Sequence, residues 1–214
     1  MRVKRTVDYI EWLCSSELSD RRKIGQKLKA QYVKWTRTLN LNDFLNFLKT
    51  IQRNKQIIGV AQFFGKFRAY AFEEYVYRLL KAKIGFPKSL SLFWGEKCLV
   101  WRSNQEEYSM EFDVSLGKKM NNSINPVMVF DAKVELDAAR LKTALASFIL
   151  LKNWNSRVKC FVVYVNRELN DVLLNLTKNW IDGFFSFNDK RDETEIFLEK
   201  VRESLAALKN DVSH

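Results

Sequence analysis

Histidine is almost missing from this chain: the single one is His214, the last residue. That shortage excludes histidine triads, zinc sites built on imidazole, and phosphoryl-transfer chemistry with histidine as base or acceptor. Acid–base work falls to carboxylates, lysine, tyrosine or metal-activated water. Cysteine is scarce as well. Cys14, Cys98 and Cys160 are odd in number and far apart. They fit neither a disulfide framework nor a zinc cluster, and they suit a reducing interior. Only 7 Gly and 2 Pro leave little room for linkers or disordered tracts. There is no internal repeat and no low-complexity segment. The longest apolar run, around residues 144–151, is too short to span a bilayer. Asp8 and Glu11 follow Arg2, Lys4 and Arg5, and interrupt what would be the apolar part of a signal peptide. The expectation is a soluble intracellular protein.

What is present is apolar and basic. The 214 residues are 47% hydrophobic and 14% aromatic, enough for one compact domain with a small appendage. Lys and Arg number 36 against 25 Asp and Glu, a net charge of +11. Such an excess points to a polyanionic partner, nucleic acid or an acidic membrane surface. The bland alternative is a soluble basic protein.

Hydrophobic spacing predicts helices over residues 1–60. Val7, Ile10 and Leu13 share a face. Ser19 and Asp20 are positioned to cap a second helix with Ile24, Leu28, Tyr32, Trp35 and Leu39 inward. Its other face carries Arg21, Arg22, Lys23, Lys27, Lys29, Lys34 and Arg37. Asn42 or Asp43 can start a third helix with Phe44, Phe47, Leu48 and Ile51 inward. Residues 66–83 read as another helix, closed by Gly85 and Pro87. Strands are expected over 90–102, 108–116 and from Pro126 to Leu136, with a polar turn over 117–125. Asp137 caps a helix carrying Leu141, Leu145, Phe148 and Leu151. Residues 158–165 read as a strand buried on both faces, and two helices follow, around 171–183 and 192–208. The fold class is α/β, a mixed central sheet flanked by helices, with a helical N-terminal extension (residues 1–62) packed on a core of residues 63–214.

Side chains alternate across a strand. Phe130, Ala132 and Val134 therefore share one face, and Asp131, Lys133 and Glu135 the other. Met110, Phe112 and Val114 likewise oppose Glu111 and Asp113. If the two strands pair, Asp113 and Asp131 approach each other, and close carboxylates repel unless a cation lies between them. Mg²⁺ or Mn²⁺ satisfies both, with the Ala132 carbonyl as a further oxygen ligand. Lys133, ~6–7 Å along the strand from Asp131, is placed to orient an attacking water or to stabilise charge growing on a phosphate. The competing reading is a solvated charged face on an antiparallel sheet.

These residues resemble the PD-(D/E)xK nuclease superfamily, which includes restriction enzymes, archaeal Holliday-junction resolvases and small nucleases of archaeal viruses. The resemblance covers roughly residues 65–170 and implies a restriction-endonuclease-like core. It also implies an acid-bearing helix ahead of Asp113 and of Asp131-Ala132-Lys133. The segment Phe72-Glu73-Glu74-Tyr75-Val76-Tyr77-Arg78-Leu79-Leu80 looks like the first helix of the junction resolvases. By that resemblance Glu73 is the helix-borne acid that reaches the metal shell. Glu74, nearer the solvent side with Tyr70 and Arg78, ranks second. Two positions depart from the pattern: Phe112 replaces the proline before Asp113, and Asp131 stands where glutamate is commoner.

For DNA, the candidate phosphate contacts are Arg21, Arg22 and Lys23 on the second helix, Lys118 and Lys119 in the turn between the two acid-bearing strands, and Arg140 and Lys142 on the following helix. The expected activity is Mg²⁺-dependent DNA endonuclease, selective for branched or junction DNA and acting as a homodimer, with the N-terminal helices the first interface candidates. The alternatives are a sequence-specific type II restriction endonuclease and a non-catalytic basic DNA-binding protein on the same fold. A helix-turn-helix over 20–52 lacks a clear recognition helix, and a membrane-surface role lacks an apolar face rich in Trp and Phe.

Overall fold

The computed structural model describes residues 5–104 and 106–210, without the side chains of 209 and 210. The chain divides into two compact units, one ending at Leu79 and the other starting at Leu80.

The N-terminal unit is helical: α1 (Thr6–Cys14), α2 (Ser19–Thr38), α3 (Leu41–Arg53), α4 (Lys55–Ile58) and most of α5 (Ala61–Lys83). Its interior is aromatic. Phe44 stacks on Tyr75 at 4.4 Å and Tyr9 on Phe67 at 5.2 Å, and Trp35 meets Phe44 edge-on. The helix starts differ from the sequence reading. Leu18, with no side-chain cap, precedes α2 in place of a Ser19 or Asp20 cap. Leu39, at φ 51°, turns the chain out of α2 in the left-handed region, and the Tyr75 hydroxyl donates to its carbonyl at 3.1 Å. Asn40 then caps α3 by accepting from the Asp43 N–H, ahead of the expected Asn42 or Asp43. The helix α5 starts at Ala61 instead of 66, and residues 71–76 are buried all round.

Gly25 is required by packing. A Cβ there would lie 2.7 Å from the Cys14 nitrogen and 2.9 Å from the Leu13 carbonyl carbon. Alanine gains about 1 kcal/mol of helix propensity over glycine, but here it must push α1 off α2. Gly25→Ala is expected to lower stability by about 1–3 kcal/mol, read as a shifted denaturation midpoint. An unchanged or raised midpoint would show that the crossing yields easily.

The C-terminal unit is built on one sheet, β1 (Ser91–Arg102), β2 (Glu107–Lys119), β3 (Ile124–Leu136), β4 (Lys159–Arg167) and β5 (Gly183–Ser186), in that spatial order. The pairs β1–β2 and β2–β3 are antiparallel, whereas β3–β4 and β4–β5 are parallel. Parallel neighbours need crossovers, supplied by α6 (Ala138–Trp154) and α7 (Asp171–Leu176). Leu141, Ala144, Phe148 and Leu151 of α6 and Leu174 of α7 pack with Val129, Cys160 and Val162 in one apolar cluster. On α8 (Thr194–Asn210), Phe197 meets Phe130, Phe185 and Phe187, in a second set of ring contacts. The central strand β4 is buried from Cys160 to Val165, as its unbroken apolar run predicts.

Two expectations for this unit are corrected. The strands β2 and β3 run on to Lys119 and back to Ile124, so the turn is short and Lys118 and Lys119 belong to β2. Pro126 sits opposite Gly117 at a register shift, where its missing N–H breaks no regular ladder. Residues 171–183 are not one helix. The helix stops at Leu176, and Gly183-Phe184-Phe185-Ser186 forms β5 against β4. Four residues are too few to show a period of two, and the apolar spacing from Leu173 to Ile181 mimics a helix.

Asp182, just before β5, is a partly buried anchor. It accepts from Lys152 Nζ at 2.7 Å, Lys159 Nζ at 3.2 Å and the Cys160 N–H at 2.8 Å. Burial opposes its ionisation, but Lys152, the Cys160 N–H and Lys159 together hold its carboxyl below the ordinary aspartate value. Asp182→Ala leaves Lys152, only 11% exposed, without its counter-charge, a change worth about 3 kcal/mol. The folded pKa is depressed. The contribution is therefore complete above the unfolded value near ~3.9 and is lost as pH falls through the folded value. Wild type and Asp182→Ala should differ most in melting temperature near neutral pH and converge in acid. A constant gap down to pH ~2 would contradict this linkage.

Candidate metal centre

The pairing of β2 with β3 runs from Lys119–Ile124 to Val114–Phe130 and stops there. Beyond that point β2 continues beside β1, and β3 beside β4. Asp113 and Asp131 are the next residue on each strand, so they face one another where the strands part. Two carboxylates directly opposite would repel. Here they share one counter-ion: Lys133 Nζ donates to Asp113 Oδ2 at 3.2 Å and to Asp131 Oδ1. The Ala132 N–H donates to Asp113 Oδ2 at 2.9 Å. That carboxylate thus takes the place of the ladder acceptor that β2 no longer offers.

The three side chains are mostly shielded, with 17% of Asp113, 12% of Asp131 and 24% of Lys133 exposed. Burial opposes ionisation of Asp113, but Lys133, the bond shared with Asp131 and the Ala132 N–H outweigh it, and its pKa is lowered. Asp131 goes the other way. Burial pushes it up to about 7, with Lys133 pulling against this and the Asp113 charge adding to it. Burial works against the charged form of Lys133, yet Asp131 and then Asp113 more than compensate and its pKa is raised.

Among the described residues no group of three or more His, Cys, Asp or Glu side chains gathers as a metal cage. The donor set at the fork is two carboxylates that already converge on a cation. Magnesium binds through one or two carboxylates and keeps several waters, so this pair fits a hard divalent ion.

Glu73 and Glu74 belong to the N-terminal unit and are 4% and 2% exposed. Glu74 is not on a solvent side, since the centre of α5 is enclosed. Its Oε1 accepts from the Tyr32 hydroxyl at 2.7 Å and from Arg78 Nε at 2.8 Å. Burial first, and then Glu74, raise the Tyr32 pKa.

The candidate DNA contacts differ in availability. Arg21 is turned inward: its Nε donates to the Ile57 carbonyl at 2.8 Å and its guanidinium lies 5.3 Å from the Trp12 ring. Arg22 donates to the Ser16 and Glu17 carbonyls. Lys23 is exposed, 3.8 Å from Asp20. Lys119 pairs with Glu96 at 3.0 Å, and Arg140 with the α6 cap Asp137. Lys118 and Lys142 are exposed. Lys118 stands five residues from Asp113 on β2, ~17 Å of extended strand, and not in a turn beside the pair. A depression of about 780 Å³ opens at the ends of β4 and β5 and includes neither Asp113 nor Asp131. Its acids Asp171, Asp182 and Glu193 are each already paired with a lysine or arginine. The fork differs from this depression in that two carboxylates there share one ammonium group. The role of the Ala132 N–H was not visible in the sequence, because it depends on where the β2–β3 ladder ends.

No described helix is long and apolar enough to cross a membrane. No protein-family model matches the chain, and no curated protein matches it. Among solved structures, one described as the native BbvCI A2B2 tetramer at low resolution matches with a TM-score of 0.63, covering 98% of this chain and 98% of that one. The identity is 9%, so the likeness is one of fold. With its mixed sheet, flanking helices and N-terminal helices, the chain has the restriction-endonuclease-like fold.

Proposed function

We propose that this protein is a divalent-metal-dependent DNA endonuclease with its active site at the β2–β3 fork. The observation that carries the reading is the convergence of Asp113 and Asp131 on Lys133 where the two strands separate. Asp113, Asp131 and the Ala132 carbonyl would hold Mg²⁺ or Mn²⁺. Bound there, the ion would supply a Lewis acid for the scissile phosphate and ease ionisation of the attacking water. Asp113 and Asp131 hold negative charge in place at the reacting centre. Lys133 is the group that steadies charge developing on the phosphate. Water adds across one P–O ester bond, leaving a phosphate monoester and a free hydroxyl. The net charge of +11 suits a polyphosphate substrate.

The finer reading is selectivity for branched or junction DNA. Cutting both strands of such a substrate asks for two sites, hence a homodimer. The second reading is a type II restriction endonuclease, favoured by the restriction-endonuclease-like fold. One panel separates them: linear, nicked, four-way and plasmid DNA, each with Mg²⁺ and with Mn²⁺. Preferential cutting of the four-way substrate supports the junction reading, and discrete plasmid fragments support the restriction reading. No cleavage with either metal on any substrate would defeat the enzyme assignment.

A further inference from the structure

We propose that the outer face of α2 is a docking surface for the phosphate backbone of double-helical DNA. The inference deepens the nuclease reading and takes from it only the identity of the polyanion. The helix α2 carries seven cations, Arg21, Arg22, Lys23, Lys27, Lys29, Lys34 and Arg37, against one acid, Asp20. All but Arg21 are exposed. Lys34 pairs with Asp43 at 2.6 Å. Among the described residues, Lys27, Lys29 and Arg37 have no acidic partner.

Helical geometry arranges these charges. Arg22, Lys29 and Arg37 lie about two turns apart, on one line, and Lys23, Lys27 and Lys34 form a neighbouring line. From Arg22 to Arg37 the face is ~22 Å long, while duplex DNA presents a phosphate every ~3.4 Å along each strand. Lys23 and Lys27 are a like-charged i,i+4 pair, which costs helix stability unless an anion lies across them. The remaining question is which polyanion. Binding in a membrane interface needs a broad apolar side next to the basic one. On α2, Val33, 57% exposed, is the one large apolar side chain among the described residues left open. The face is therefore suited to a surface that offers charge and no insertion, which is a nucleic-acid backbone.

The test is DNA affinity as a function of salt. Full-length wild type, Lys27→Gln/Lys29→Gln/Arg37→Gln, and a control with the same charge change placed elsewhere, Lys88→Gln/Lys190→Gln/Lys200→Gln, are titrated with a fluorescent duplex in EDTA. Circular dichroism checks that each variant keeps its helices. Three lost phosphate contacts should flatten the log K against log salt slope by about 2.7 and lower low-salt affinity at least ~10-fold. The control should move far less. An unchanged slope, or an equal change in the control, overturns the proposal, while cleavage by wild type would leave the nuclease reading standing. Binding to phosphatidylserine vesicles that the α2 substitutions abolish, with DNA binding intact, also overturns it. If the slope flattens as expected but no metal yields cleavage, the docking surface stands and the nuclease reading falls.

Discussion

Asp131→Asn, and equally Asp113→Asn, is expected to abolish DNA cleavage while leaving DNA binding intact or tighter. Each change keeps shape and removes negative charge from a centre where two carboxylates converge on a single cation, more of it at Asp113 than at Asp131, whose pKa of about 7 leaves it partly protonated without metal. A divalent ion held by the pair would lose one of its two carboxylate ligands. Losing its stabilisation of the transition state costs about 4 kcal/mol, or about 10³-fold in rate. The same loss of charge lowers repulsion toward phosphate, so affinity measured without metal should hold or rise. Asparagine also retains an oxygen, so in Asp113→Asn the Ala132 N–H can keep its acceptor and the fork can keep its shape. Cleavage within a few-fold of wild type would exclude both carboxylates from the chemistry. Weakened binding at low salt would mean that they serve the fold and not the substrate.

Much of this centre was legible because strand periodicity is strict. Once residues 108–116 and 126–136 read as strands, alternation alone put Asp113, Asp131 and Lys133 on charged faces. What alternation cannot tell is register. The opposition of Asp113 and Asp131 depends on where the β2–β3 ladder stops, and the shift at Leu116/Gly117 that helps to set it is a matter of backbone approach. Gly117 and Pro126 mark that point in the sequence only after the pairing is known. The N-terminal helices were readable from apolar spacing, but not the enclosure of α5. Glu74 looks like a surface acid on a one-sided helix, and residues 71–76 are buried on every side. The availability of charges was hidden for a similar reason. Arg21 lies in the same basic run as Lys27 and Lys29, yet a carbonyl 36 residues away, on Ile57, draws it inward. Sequence gives the sign of a charge and its helix face. Long-range partners decide which charges remain for a ligand.

Lys133→Ala separates the structural job of the lysine from its chemical one. In the wild type its ammonium is the counter-ion of two carboxylates that are only 17% and 12% exposed. Removing it leaves the two carboxyls facing across the fork without that counter-ion. Breaking such a buried pair costs about 3–5 kcal/mol, toward the low end here because one carboxyl can take up a proton. The variant should therefore melt well below wild type in EDTA. Added Mg²⁺ or Mn²⁺ should then raise its melting temperature by more than it raises that of wild type, since the empty pair gains most from a cation. Saturation at about 100 times Kd is worth ~2.7 kcal/mol. Cleavage should not recover with stability. The group that steadies charge on the phosphate is gone, and the rate should stay ~10²-fold or more below wild type at saturating metal. Metal-restored stability with absent cleavage thus distinguishes a lysine that works on the substrate from one that merely neutralises the pair. A Lys133→Ala protein that melts like wild type in EDTA and gains nothing from either metal would show that the two aspartates do not form a cation site at all.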